Sequence, residues 1–325
     1  MWLKKMKVAK NILDLIGNTP MVKLNNLTKD IEANVLVKLE YLNPSGSMKD
    51  RIALKMIELA EEARILKPGY TIVESSTGNT GIALSFVGTR KGYKVVIYET
   101  IPGRMGEEKV KIMRNYGAKV QLITPKDIEN LREKSVPGAE IELPGRRICL
   151  DLEKNKPNIW WARQFSNPGN VKAHNETGME ILTQTNNKVD TFVMSIGTGG
   201  TLMGVATTLK KKLQNVRIVG IQPASSKKEM RPGTSYSRTD ISGGIVSDMM
   251  EKPHLIDEVV RVSDEEAIKM THRLWKEEGL FSGVSGGANV LVALNEAKRL
   301  GKGKNVVTIL PDHGDRYLSE EHYIT

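Results

Sequence analysis

Apolar and polar positions along this chain follow two periods that take turns. Short β-branched runs at 34–41 (NVLVKLEY), 71–75 (TIVES), 94–99 (KVVIYE) and 119–124 (KVQLIT) predict strands. Between them, apolar residues recur at helical spacing over 48–65, 79–92 and 106–117, and the last two stretches stop at a glycine, a common helix terminator. The second half repeats the rhythm, with strands at 191–197, 217–223 and 305–311 and helices at 201–213, 264–279 and 286–300. Such alternation predicts an α/β fold of open, mostly parallel, twisted sheets covered by helices. A length of 325 residues accommodates two of them, at roughly 150 residues per domain. The stretch 125–160 loses the rhythm and is rich in proline, glycine and charge. It predicts a boundary near 150, with an N-terminal domain over 1–150 and a C-terminal domain over 151–325. A second irregular stretch, 224–253, is too long for a plain connection and is expected to be functional.

Composition narrows the classes. Forty-eight basic and 38 acidic residues give a net charge of +10, but the lysines and arginines are scattered over amphipathic helices. Aromatic residues make up only 5%, too few for base-stacking platforms, so a solvated basic surface suited to small anions is expected rather than nucleic-acid binding. The lone cysteine, Cys149, excludes an intramolecular disulfide and reads as a small buried hydrophobe in a reducing, cytoplasmic compartment. The five histidines show no paired metal-ligand spacing, and no apolar run is long enough for a signal peptide or a membrane span.

Three strand-to-helix turns carry unusual chemistry, and ligands of open parallel sheets bind at such turns. In ESSTGNTGIA (74–83), Gly78 lets the backbone approach a ligand closely, while Ser75, Ser76, Thr77 and Thr80 supply hydroxyls at a helix start able to hold a carboxylate or phosphate. In SIGTGGTLMG (195–204), Gly197, Thr198, Gly199, Gly200 and Thr201 form a nest of N–H donors suited to a phosphate. It lacks the G-x-G-x-x-G spacing of a dinucleotide site and the G-K-[ST] of a nucleoside-triphosphate loop. SGVSGGANV (282–290) opens a helix and offers the hydroxyl of Ser285. A fourth stretch, NPSGSMKDRIA (43–53), places Lys49 at a helix threshold. It also reads as a plain helix start with Ser47 as N-cap, which needs no lysine. A placed amine, a hydroxyl-rich carboxylate turn and a phosphate nest together suggest pyridoxal phosphate, an aldehyde that carries a phosphate.

The chain resembles the cysteine synthase and cystathionine β-synthase family of fold-type II pyridoxal-phosphate enzymes over nearly its whole length. The motifs are IGNTPMVKL (16–24), NPSGSMKDR, SSTGNTG, RQFSNPGN (163–170), GTGGT, GVSGGA and LPDHGDRYLS (310–319). The resemblance implies that Lys49 holds the cofactor aldehyde and moves the substrate α-proton, that Asn79 bonds the phenolic oxygen, and that residues 197–201 bind the phosphate. Ser285 would face the ring nitrogen; a neutral hydroxyl supports a protonated ring less than a carboxylate does, which suits loss of a β-leaving group. Ser76, Thr77, Gly78, Thr80 and Gln164 align with the substrate-carboxylate site, and Gly243 with a glycine bordering the substrate. Arg238, five residues before Gly243, stands where phosphoserine-preferring relatives carry an arginine.

The implied reaction is β-replacement, in which O-acetylserine or O-phosphoserine loses its leaving group and sulfide adds to the β-carbon to give L-cysteine. The implied assembly is a homodimer, with part of the N-terminal segment crossing to the larger domain. A serine acetyltransferase partner is not read from these motifs. A serine or threonine dehydratase carries a different lysine motif and a nearly all-glycine phosphate loop. Cystathionine β-synthase shares these motifs and joins homocysteine to the serine skeleton, but RQFSNPGN is closer to the sulfide-using branch. A binding protein that keeps the fold without the chemistry would not need every one of these positions filled. The stretch 135–161 departs from the family pattern.

Overall fold

The computed structural model describes residues 8–76, 78–99, 107–123, 143–224 and 252–319, and their strands gather into two sheets. In chain order the strands are β1 (Met21–Lys23), β2 (Asn34–Leu39), β3 (Thr71–Ser75), β4 (Lys94–Glu99), β5 (Lys119–Leu122), β6 (Ile159–Trp161), β7 (Thr191–Ser195), β8 (Arg217–Pro223), β9 (Glu258–Val262) and β10 (Asn305–Leu310). The helices are α1 (Lys49–Glu62), α2 (Asn79–Arg90), α3 (Glu107–Asn115), α4 (Leu143–Asn155), α5 (Gly169–Gln184), α6 (Gly200–Lys212), α7 (Asp264–Arg273) and α8 (Val284–Arg299).

The larger sheet has the order β1-β2-β10-β7-β8-β9 and the smaller one β5-β4-β3-β6. Among the described strands only β1 and β2 pair antiparallel and the other strand pairs are parallel, as the alternating pattern predicts. The central strands are buried along almost their whole length, which accounts for apolar runs such as FVM in β7 and VVTIL in β10. Two apolar clusters flank the larger sheet, and a third joins α1 and α2 to the smaller one.

The division expected at residue 150 does not follow the sheets. Residue 150 falls inside α4, and β6 beyond it pairs with β3, while β1 and β2 from the N-terminal part belong to the larger sheet. The helix expected over 264–279 is α-helical to Arg273, continues as a π turn over Leu274–Glu278 and stops at Gly279 in the left-handed region (φ +70°). A large part of the irregular stretch 224–253, residues 225–251, lies outside the described residues. No described helix is long and apolar enough to cross a membrane, and Cys149 is fully buried, with burial first among the causes that push its thiol pKa far up.

Two glycines let α5 and α6 approach one another closely. A Cβ on Gly178 would fall 2.7 Å from Thr208 Cβ, and one on Gly204 would fall 2.5 Å from the Val171 carbonyl oxygen. This contact sets the start of α6, and so the turn before it, against the body of α5.

Candidate active site

The turn before Lys49 is held by its own side chains and by the chain beyond β10. Gly46, at φ +88°, takes a conformation that favours glycine, and its N–H donates to Asn43 O at 2.8 Å. Asp50 accepts from the Ser45 N–H at 2.7 Å and from the Ser45 hydroxyl. Burial, opposed by those hydrogen bonds, pushes its carboxyl up to about 6. Met48 N–H donates to Pro311 O at 2.8 Å, His313 N–H to Gly46 O at 3.2 Å, and the Arg316 guanidinium to Ser45 O. The helix begins at Lys49 with Met48 in the cap position. Ser47 is therefore one residue too early to be the expected N-cap, although its Oγ accepts from the Lys49 N–H at 3.3 Å.

The second turn follows β3. Ser76 Oγ accepts from the N–H groups of Gly78 (3.3 Å) and Gly81 (3.0 Å), shaping the start of α2. Thr80 Oγ1 donates to Gln164 Oε1 at 2.6 Å, and Gln164 Nε2 donates back to Ser75 O at 3.2 Å, so residues 84 positions apart share one polar corner. Beneath them the fully buried Glu74 accepts from the Gln164 N–H at 2.9 Å and from Trp161 Nε1 at 2.9 Å. Thr77, Arg238 and Gly243 lie outside the described residues.

The third turn opens α6. Gly199, at φ +80°, is its cap residue. Asn170, fully buried on α5, donates through Nδ2 to Gln164 O at 2.9 Å and to Thr198 Oγ1 at 3.0 Å, tying the polar corner to the glycine turn. Sequence reasoning missed Asn170 as a functional residue: RQFSNPGN contains it, but its partners lie 6 and 28 positions away. The arrangement also explains Gly200, where a Cβ would fall 2.0 Å from Asn170 Oδ1. Overpacking of this kind costs roughly 1–3 kcal/mol, or about five- to 150-fold in an equilibrium. Gly200→Ala is expected to weaken pyridoxal-phosphate binding by that factor while circular dichroism stays unchanged. Unaltered affinity in a fluorescence titration would show that the turn does not take the phosphate.

A cavity of about 300 Å³ joins these turns; Met48, Asn79, Gly197, Ser285, Asp312 and Tyr317 are among its walls. Asn79 Nδ2 donates to Asp312 Oδ2 at 2.6 Å, Tyr317 OH donates to the same oxygen at 2.5 Å, and Arg316 donates to Asn79 Oδ1. The Arg316 contact fixes the orientation of the Asn79 amide, a role that the motif LPDHGDRYLS did not itself disclose.

These residues fit a planar aldehyde that carries a phosphate. A Cβ on Gly197 would meet nothing within 4 Å, so the space beside the turn that starts α6 is open. Ile221, Val262 and Val284 supply apolar walls for a ring, with the hydroxyl of Ser285 and the amide of Asn79 at its rim. Asp312 Oδ1 is buried and has no hydrogen-bond partner among the described residues.

Comparison with known proteins places the chain among relatives. The cysteine synthase of Staphylococcus aureus (strain Mu50 / ATCC 700699) is 41% identical over 321 residues, covering 98% of both chains. The crystal structure of a cysteine synthase from Entamoeba histolytica superposes with a TM-score of 0.85 at 34% identity, covering 99% of this chain and 92% of that one. An O-acetylserine dependent cystathionine β-synthase from Helicobacter pylori superposes with a TM-score of 0.82 at 33% identity, covering 98% of this chain and all of the other. A family model described as "Pyridoxal-phosphate dependent enzyme" matches residues 12–312, a span that contains Lys49, Asn79, the glycine turn and Ser285, and the chain belongs to that family.

Proposed function

We propose that the protein is a cysteine synthase that forms L-cysteine from an O-activated L-serine and sulfide with pyridoxal phosphate as cofactor. One observation carries the reading: Asn79, Gly197 and Ser285 line a single cavity, with Met48 bringing the Lys49 turn to its edge. When bound, the cofactor supplies an electron sink for charge left at the substrate α-carbon. Lys49 holds the cofactor and its amine takes the α-proton. The N–H groups and hydroxyls of residues 197–201 bind the phosphate, Asn79 the phenolic oxygen, and Ser285 the ring nitrogen. Ser76, Gly78, Thr80 and Gln164, with Thr77, orient the substrate carboxylate, so that the leaving group and sulfide act at the β-carbon from a fixed pose.

We read the two sheets as the cores of two domains with this cavity between them, and the chain as one protomer of a homodimer. Half-exposed Leu15 and Met179 support the second point: Met179 lines a cavity with Ile16, Gly17 and Asn18, and Leu15 precedes Ile16 in the chain; a solution mass measurement checks it.

The relative named for O-acetylserine dependent cystathionine synthesis makes the acceptor the quantity to measure. Steady-state kcat/KM is expected to favour sulfide over homocysteine as acceptor. Comparable or better turnover with homocysteine would move the protein to the cystathionine branch. The same assay tests the leaving group at Arg238. A charge-assisted contact of about 1.5–3 kcal/mol predicts that Arg238→Ala lowers kcat/KM for O-phosphoserine roughly 10- to 150-fold and hardly changes it for O-acetylserine. Equal losses on both substrates, or none, would remove Arg238 from the site.

A further inference from the structure

Beneath the glycine turn lies His174, fully buried on α5. Its Nδ1 is 3.1 Å from Thr177 Oγ1 and its Nε2 is 3.0 Å from Thr201 Oγ1, the last residue of the turn. Thr177 and Thr201 are buried as well. The close approach of α6 fixes the ring, since a Cβ on Gly204 would fall 2.7 Å from His174 Cβ. Full burial favours the neutral imidazole: it holds the pKa well below the usual histidine range, and the charges of Lys49 and Arg51 act in the same direction against Glu180.

A neutral imidazole has one N–H and one lone pair, so the two threonine hydroxyls cannot both donate to it. If Nδ1 carries the proton, Nε2 accepts from Thr201, whose hydroxyl then presents only lone pairs to the turn and repels an anion. If Nε2 carries it, the ring donates to Thr201 Oγ1, Thr177 donates to Nδ1, and the Thr201 proton stays available. Its acceptor in the structure is Met48 Sδ at 3.5 Å, a weak one that an anion easily replaces. A turn that binds phosphate needs donors.

We propose that His174, as its Nε2–H tautomer, is a positioning residue that makes the Thr201 hydroxyl a donor to the phosphate at residues 197–201; this rests on the reading of that turn given under the proposed function. Met48 precedes Lys49 in the chain, so the same hydroxyl meets both the anion site and the lysine turn. The imidazole acts only through Thr201 and touches neither substrate nor cofactor.

The test has two arms. In ¹⁵N-histidine NMR of the full chain, with the signal assigned by its loss in His174→Gln, Nε2 is expected to be protonated and Nδ1 not, unchanged from about pH 6 to 8. The opposite tautomer, or an imidazolium forming in that range, would overturn the proposal. In the second arm pyridoxal-phosphate affinity is measured on the full chain freed of cofactor. His174→Leu and Thr201→Val are each expected to weaken binding about ten- to 100-fold, and the double variant no more than either. His174→Gln, which still presents an N–H toward Thr201, should recover most of the loss. Additive losses, or glutamine no better than leucine, would also overturn it. If the unsubstituted protein binds no pyridoxal phosphate, the reading of the turn itself fails and the proposal falls with it.

Discussion

Lys49→Ala is expected to leave a folded protein whose cysteine formation is lower by about 10⁴-fold or more, because in the proposed function one amine both holds the cofactor and moves the α-proton. General acid–base catalysis alone accounts for roughly 10²–10⁴-fold. The fold should persist for local reasons. Lys49 is only half-buried, its N–H contact to Ser47 Oγ belongs to the backbone, and alanine is the best helix former for the first position of α1. The side chains that pin the turn, Ser45, Asp50 and Arg316, are untouched. Three measurements separate chemistry from folding: circular dichroism, sulfide-dependent cysteine formation, and mass spectrometry after borohydride reduction. Reduction should fix the cofactor covalently to the unsubstituted protein at Lys49 and leave it releasable from the variant. Activity within tenfold of the parent, or trapping at another lysine, would take Lys49 out of the role.

The parts of this site that were legible in the sequence are those whose chemistry is local. G-T-G-G-T must turn and must expose N–H groups wherever it stands, and TIVES and KVVIYE are strands in the structure with the bounds their pattern predicts. The parts that stayed hidden depend on distant partners. The sequence pattern did not reveal α5, because its buried face mixes Asn170, His174, Thr177 and Gly178 with Ala173, Ile181 and Leu182, and so lacks an apolar stripe. Asn170 is buried against Gln164 and Thr198, and His174 against Thr201, contacts that no local pattern shows. β6 was hidden for a different reason: three residues, IWW, give no period to read, and only pairing with β3 makes them a strand. The membership of β1, β2 and β6 in their sheets was hidden for the same reason, since it is decided by pairing and not by position along the chain.

The largest expected loss of stability lies behind the lysine turn, at Glu40. Its carboxylate is fully buried and accepts from Arg51 Nε (2.7 Å) and Nη2 (2.8 Å), Thr19 Oγ1 (2.7 Å) and Asn43 Nδ2 (2.9 Å). Arg51, 5% exposed and two residues after Lys49, bonds on its other side to Glu180 Oε1 at 2.6 Å; fully buried Lys38 reaches Glu180 Oε2 at 2.7 Å. Glu40 thus lies among two cations and one other carboxylate that join β2, α1 and α5. Its removal leaves two cations, Lys38 and Arg51, facing the single carboxylate of Glu180. Replacing such a buried group by alanine costs about 3–5 kcal/mol, because the partner is left desolvated and only partly compensated. Glu40→Ala is expected to show that loss in urea denaturation at neutral pH, with cofactor binding weakened as the start of α1 loosens. The pH dependence has a definite sign. Burial alone would raise the Glu40 carboxyl, but Arg51, with Lys38 and Thr19, outweighs burial and holds it below the usual range; the same cations hold Glu180 low. A carboxyl depressed in the fold stabilises at pH values above its unfolded pKa, about 4.3, and that stabilisation is lost as pH falls through the folded value. The parent should therefore lose stability on acidification below about pH 4–5, and Glu40→Ala, which has already lost this contribution, should lose less over the same range. A variant within about 1 kcal/mol of the parent at pH 7, with an unchanged acid limb, would mean that the ion cluster does not anchor the lysine helix.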